Sequence, residues 1–296
     1  MARSSAEVEV ALDAHAEVGE GPCWDAASHL LVWVDITRGQ VHRFDPGSGQ
    51  DEILEAGQEV GAAAPRAGGG LVLALREGFA LLDPGSRMLE MIADTEGDDP
   101  GNRMNDGKCD RAGNFWAGTM AFEWQTRPCM GALYKLAPDR SVTRMLGRVT
   151  LSNGLGWSPD GRAFYYIDSA TQGIDVFDHD PVSGRIGGRR RLVDVPKEHG
   201  LPDGLCVDAE GYLWVALWGG WTVRRYTPAG TADLVLELPV SQPSCPAFGG
   251  DDLGDLYVTT AAHGLSSEQL AREPHAGGLF RVRPGVHGQP SYGYRG

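Results

Sequence analysis

A polar turn followed at once by an apolar strand recurs six times along the chain, and this repeat sets what the chain can fold into. The copies are "DAASHLLVWV" from Asp25, "RAGGGLVLAL" from Arg66, "DRAGNFWAGT" from Asp110, "SPDGRAFYYI" from Ser158, "DAEGYLWVAL" from Asp208 and "DDLGDLYVTT" from Asp251. They begin about 40 to 50 residues apart, the period of a four-stranded propeller blade. Each is followed by a second β-like run, ending near "VHRFDP", "FALLDP", "ALYKLAPD", "DVFDHDP", "VRRYTPAG" or "LFRVRPG". A solenoid would need shorter or helical repeats. Six units closing on themselves remove exposed sheet edges. The chain is therefore predicted to be all-β, a six-bladed β-propeller forming one domain over residues 1–296. The early "AEVEVAL", Ala6 to Leu12, is expected to supply the outer strand that completes the last blade.

Composition agrees with this reading. The chain has 296 residues, 42% of them hydrophobic, enough for a substantial core. Its 42 glycines and 18 prolines are spread along the chain and form no low-complexity tract. Helical signals are scarce; the best is "LSSEQLARE", Leu265 to Glu273, where Ser266 and Gln269 make a capping box. A formal net charge of -14 leaves no basic stripe for phosphates, so nucleic acid and anionic membranes are excluded as partners. The one basic cluster, "RIGGRRRL" from Arg185, reads as a solvated hairpin. No signal-like segment and no long apolar span is present, so a soluble, cytoplasmic protein is expected. Five scattered cysteines without a CxxC pair argue against a disulfide framework and a zinc-thiolate site.

In a propeller the innermost strands start near the central axis, so equivalent positions of different blades converge. Five residues before each aligned turn stands one column: Glu20, Gly61, Asn105, Asn153, Asp203 and Pro246. One Asn or Asp before a strand is ordinary turn chemistry. Four oxygen-bearing side chains in one column need another reason. Two neighbouring buried carboxylates without compensating positive charge are costly, and the column holds no Lys or Arg. A divalent cation compensates them, with Glu20 and Asp203 supplying charge and Asn153 a neutral oxygen.

At these residues the sequence resembles the SMP-30/gluconolactonase/LRE family of regucalcin-like sugar lactonases. The motifs are "GEGPCWD" around Glu20, "NRMNDGKCDRAGNFWAGTM" from Asn102, "LSNGLGWSPDGRAFYYID" from Leu151 and "LPDGLCVDAEGYLWVA" from Leu201. The later "CPAFGGDDLGDLYVTTAAHGLSSEQLAREPHAGGLF" looks like the bacterial aldonolactonase branch of that family. The resemblance implies three metal ligands, Glu20, Asn153 and Asp203, and substrate contacts from Arg103 and Asn105. Asp106 follows as in the family's "NDG", and Glu123, at the end of "GTMAFE", matches a further acidic contact. The implied reaction is metal-dependent hydrolysis of an aldono-1,4- or 1,5-lactone to the open aldonic acid. The metal would act as a Lewis acid on the carbonyl and make hydroxide available from a bound water. Asp203 is either the general base or a ligand only. Oxygen ligands suit Ca, Mg, Mn, Zn or Fe(II).

Other chemistries find no support. There is no G-x-S-x-G elbow and no H-E-x-x-H. "GGG" at Gly68 to Gly70 is a blade turn and not a phosphate loop, since neither a helix nor a Lys follows. His199 reads as a loop-surface residue, and Trp218 with Trp221 as a packing pair more than a sugar platform. Two further readings share the site. A Lewis-acid centre of this kind would also serve an esterase or organophosphate hydrolase, which a substrate panel separates from a lactonase. A non-catalytic metal-binding propeller would have no need of the Arg beside the column.

Overall fold

The computed structural model describes residues 2–4, 6–96 and 99–296. Each copy of the repeat forms the link between the first two strands of an antiparallel sheet, and there are six such sheets, blades 1 to 6 in chain order. Their inner strands are Gly19–Asp25, Val60–Pro65, Asn102–Cys109, Ser152–Trp157, Leu201–Val207 and Pro243–Gly249. Each inner strand packs against the next, and that of blade 6 against that of blade 1, so the ring is closed. The chain is thus a six-bladed β-propeller, as the repeat predicts.

Closure uses the N-terminal segment. Val8–Leu12 pairs antiparallel with Leu279–Val282 as the fourth strand of blade 6. Ala2–Arg3 adds a fifth strand to blade 5, parallel to Ala232–Glu237, which the sequence pattern did not suggest. The capped helix forms as expected over Ser267–Arg272, with both capping-box bonds of Ser266 and Gln269 present.

The recurring aspartate has a structural cause. Asp110 accepts from the Asn114 amide (3.0 Å) and from Trp116 Nε1 (2.8 Å). Asp208 repeats the arrangement with the Tyr212 amide (2.9 Å) and Trp214 Nε1 (3.0 Å). The carboxylate thus closes the turn and satisfies the indole that begins the next strand's core face. Both faces of the blades are covered, so strands such as Leu71–Leu75 are buried throughout. Six apolar clusters fill the six gaps between neighbouring blades. The axis is left to other chemistry.

Every inner strand breaks its pairing register at the same height. The shifts fall between Glu20 and Cys23, Val60 and Ala62, Met104 and Gly107, Ser152 and Leu155, and Pro202 and Leu205. In blade 6 the shift lies between Pro243 and Cys245. Ser244 therefore stands at the bulge of blade 6, two residues ahead of the expected Pro246. A bulge frees side chains from strict alternation and re-aims them; Gly61, Asn105, Asn153 and Asp203 sit within theirs, and Glu20, paired with Val34, borders its own. Further pins hold the strand starts. Asp35 accepts from the Glu17 and Val18 amides at 2.8 and 3.1 Å, and Asp168 from the Thr150 and Leu151 amides at 3.0 Å each.

Gly61, the inert member of the column in blade 2, is required by crowding at the axis. A Cβ there would lie 2.1 Å from the Asn105 carbonyl oxygen and 2.7 Å from that of Met104. Gly61→Ala is expected to destabilise the fold by about 1–3 kcal/mol through overpacking and to displace the Asn105 backbone. Gly68→Ala, where a Cβ meets nothing within 4 Å, should leave the melting temperature nearly unchanged. Thermal melts of the two variants check this; equal melting temperatures would refute the packing argument.

Candidate functional site

The starts of the inner strands line a cavity of about 440 Å³ at one end of the axis, which includes Glu20, Arg103, Asn105, Asn153 and Asp203. This volume falls in the range of small-molecule pockets, about 300–1,000 Å³. The other end of the same strands, around Lys108, Cys206 and Gln289, holds a cavity of only about 90 Å³.

Glu20 and Asp203 are buried, with 3% and 6% of their surfaces exposed. Burial pushes the Glu20 carboxyl up to about 8, and the charge of Asp106 adds to the effect. Burial likewise raises Asp203 well above the usual carboxylate range, with Glu20 and Asp106 contributing in the same direction. Arg103 faces these acids, and its own guanidinium is pulled down to about 10 by burial, opposed by Glu59, Glu20 and Asp203. Lys108, toward the other end of the strands, and Arg103 oppose the rise at Glu20, and Arg103 alone opposes it at Asp203; both carboxyls stay raised, so these cations leave them undercompensated.

The amides are oriented by hydrogen bonds. Asn105 Nδ2 donates to Asn153 Oδ1 (2.7 Å) and to the Ser152 carbonyl (2.8 Å). Arg103 Nη1 donates to Asn105 Oδ1 (2.7 Å) and to the Met104 carbonyl (2.9 Å). Asn153 Nδ2 donates to Ser169 Oγ (2.8 Å). Both amide hydrogens of Asn105 are therefore engaged by protein. Its side chain retains acceptor capacity only, so it acts on the site by holding Arg103 and Asn153 more than by donating to a ligand.

The donor chemistry fits an oxygen-bound divalent cation. Two buried carboxylates with raised proton affinity stand with an amide oxygen, Asn153 Oδ1, which accepts one bond and has a second lone pair free. Among the described residues no three His, Cys, Asp or Glu side chains are arranged to hold an ion by themselves. Asn153 is thus required to complete the set.

Two of the expected substrate contacts lie elsewhere. Asp106 is 1% exposed and does not line the cavity. It follows Asn105 in the bulge; its Oδ1 accepts from the Gly107 amide (2.7 Å), and its Oδ2 is buried without a hydrogen-bond partner among the described residues. It acts on the site as a neighbouring charge. Glu123 is exposed and off the cavity wall, although its neighbours Phe122, Trp124 and Gln125 line it. The loop turns its side chain outward, with the Thr126 and Arg127 amides bonded to the Glu123 carbonyl.

Other lining residues escaped the sequence reading. Val18, Glu59, Leu151 and Leu201 line the cavity, and each stands two residues before a column member, as the expected Arg103 does. Period-two alternation along a strand puts that position on the same face, so the second ring was available from the column. Trp218 lines the cavity, contrary to its reading as a packing residue, whereas Trp221 is 44% exposed and does not. His199 is off the wall and pairs with Arg224 at 2.8 Å, while His263 lines the mouth.

Comparison with known proteins agrees with this architecture. Residues 18–262 match the model of the SMP-30/gluconolactonase/LRE-like region. Regucalcin of Gallus gallus is 41% identical over 300 residues, covering 99% of this chain and all of that protein. The structure of a calcium-binding protein, regucalcin from Agrobacterium tumefaciens, superposes with a TM-score of 0.95 at 29% identity, over 100% of this chain and 99% of that one. A luciferin-regenerating enzyme superposes with a TM-score of 0.92 at 31% identity, over 98% of this chain and all of that one. With the family model spanning most of the propeller and full-length relatives at this identity, the chain belongs to the SMP-30/gluconolactonase/LRE-like family.

Proposed function

We propose that this chain is a hydrolase of sugar lactones, opening an aldono-1,4- or 1,5-lactone to the aldonic acid, with one divalent cation held by Glu20, Asn153 and Asp203. The observation that carries the reading is the meeting of two buried, undercompensated carboxylates, an oriented amide oxygen and an arginine in one cavity of ligand size. Membership of a family whose description includes gluconolactonase supports it, as does the description of the Agrobacterium regucalcin as calcium-binding.

When bound, the cation supplies Lewis acidity to the lactone carbonyl and to the attacking water. Asp203 accepts the proton of that water as its oxygen adds to the carbonyl carbon. The ring C–O bond then breaks, and the proton returns to the departing ring oxygen, giving a hydroxy acid. Arg103, steadied by Asn105, directs N–H groups at the hydroxyl or ring oxygens of the lactone. Trp218 and Trp124 line the cavity and supply aromatic surface against which a sugar ring can pack.

The apolar part of the wall, with Met120, Phe122, Leu151 and Leu201, favours a second reading, hydrolysis of an aryl or alkyl ester or a phosphotriester at the same centre. A panel of xylono-, arabinono-, galactono- and gluconolactones against an aryl ester and a phosphotriester decides between them. In a pH-drop assay corrected for spontaneous opening, at least one sugar lactone should be turned over faster than either competitor. Binding of a cation with no turnover of any substrate would leave a non-catalytic propeller.

Asp203→Asn is expected to lower kcat/KM by about 100-fold or more, and turnover near the wild-type rate would refute its role as base. Chelation should abolish turnover, and re-addition of Ca, Mg, Mn, Zn or Fe(II) singly should restore it with at least one of them. Activity that survives exhaustive chelation would contradict the cation requirement.

A further inference from the structure

Ser169 lies outside the inner strands and carries no charge, yet it stands behind Asn153 with its hydrogen-bond directions fixed. It is fully buried and opens the short turn Ser169–Thr171 that follows the second strand of blade 4, with its amide bonded to the Leu151 carbonyl. Ser169 Oγ donates its only proton to the Pro202 carbonyl at 2.6 Å. A hydroxyl whose proton is engaged offers only lone pairs to other groups. The 2.8 Å contact with the Asn153 side chain is therefore satisfied only if Asn153 turns its NH₂ toward Ser169. The amide oxygen must then face the axis. Asn105 Nδ2 reads the same orientation from the other side, since it can donate to Asn153 only if an oxygen meets it.

From these directions we infer that Ser169 is a positioning residue, which presents the Asn153 oxygen to the cation site and ties that orientation to the blade 5 strand carrying Asp203. This inference rests on the cation reading of Glu20, Asn153 and Asp203. The tie is physical, because the acceptor of the Ser169 proton is the carbonyl of Pro202, the residue before Asp203. A flipped Asn153 would set its NH₂ against the Asn105 NH₂ and its oxygen against Ser169 Oγ, losing both bonds. In the intact site the wrong orientation is disfavoured twice. Without Ser169 one of the two constraints is gone, and the freed NH₂ is left buried without a partner, which favours rotation of the amide away from its place. The relation resembles that of an outer residue to a metal-binding imidazole, where loss of the outer partner lowers metal affinity by about 10–100-fold.

The experiment is a double-mutant cycle read by Mn²⁺ binding, using electron paramagnetic resonance of free Mn²⁺ and calorimetry on the full chain. Ser169→Ala should weaken Mn²⁺ binding by about 10-fold or more, while the melting temperature without metal changes little. In an Asn153→Asp background both atoms at the end of the side chain are oxygens, so orientation no longer matters. There an oxygen meets Ser169 Oγ in either orientation, so the further change Ser169→Ala should not weaken Mn²⁺ binding by more than about 2-fold. If Ser169→Ala does not fold, Ser169→Cys keeps the shape with a weaker donor and acceptor and should show a smaller loss in the Asn153 protein alone. Equal Mn²⁺ affinity of wild type and Ser169→Ala, or an equal loss in both backgrounds, overturns the positioning role. Failure of the wild-type chain itself to bind Mn²⁺, Ca²⁺ or Zn²⁺ overturns the cation reading, and this inference with it.

Discussion

The burial of Glu20 and Asp203 near each other on the axis is the constraint on which the site depends. Carboxylates removed from water lose solvation that hydrogen bonds must replace, and each raises the proton affinity of the other. Glu20 has one protein bond of its own, from the Gly21 amide at 2.8 Å. Arg103 helps but is shared with Asn105 and the Met104 carbonyl. A fold that needed only stability would place apolar side chains here, as it does in the gaps between blades. Retaining acids at the axis is a sign of chemistry.

The fold answers with a mechanical device, the register break repeated at one height in all six inner strands. Regular pairing would alternate side chains strictly and allow one residue per turn of the pleat to face the axis. Two-residue bulges let the "NDG", "NGL" and "DGL" segments present a polar side chain and follow it with a residue that fits the crowded centre. Gly154 and Gly204 show the reason for the small residue, since a Cβ would lie 2.6 Å from the Asp203 carbonyl oxygen and 2.4 Å from Cys245. Close approach thus explains the glycine after Asn153 and Asp203, whereas Gly21, after Glu20, would bring a Cβ no nearer than 3.7 Å to any neighbour and is favoured by its φ of +55°.

Much of this was legible in the sequence because a closed ring converts equal spacing along the chain into equal position in space. The six repeats, the blade-completing strand near the N-terminus and the meeting of Glu20, Asn105, Asn153 and Asp203 follow from that rule, while the capped helix follows from its local capping box. What failed depended on local count and loop direction. Blade 6 carries its bulge at Ser244, and counting back from the turn missed it because the number of residues between bulge and turn is not constant. Family resemblance points to Asp106 and Glu123; the bulge turns the first away from the cavity, and the loop between the second and third strands of blade 3 turns the second outward. Ser169 was invisible because its role is the direction of one proton, which no residue pattern encodes. The ring of Val18, Glu59, Leu151 and Leu201 could have been found by stepping two residues back along each strand.

Anomalous diffraction from crystals soaked in Mn²⁺ tests the central claim most directly. One strong peak is expected on the axis, within bonding distance of a Glu20 carboxylate oxygen, an Asp203 carboxylate oxygen and Asn153 Oδ1. A hub without a peak, or a peak bound by other residues while Glu20 and Asp203 stay protonated and paired with protein, would contradict it.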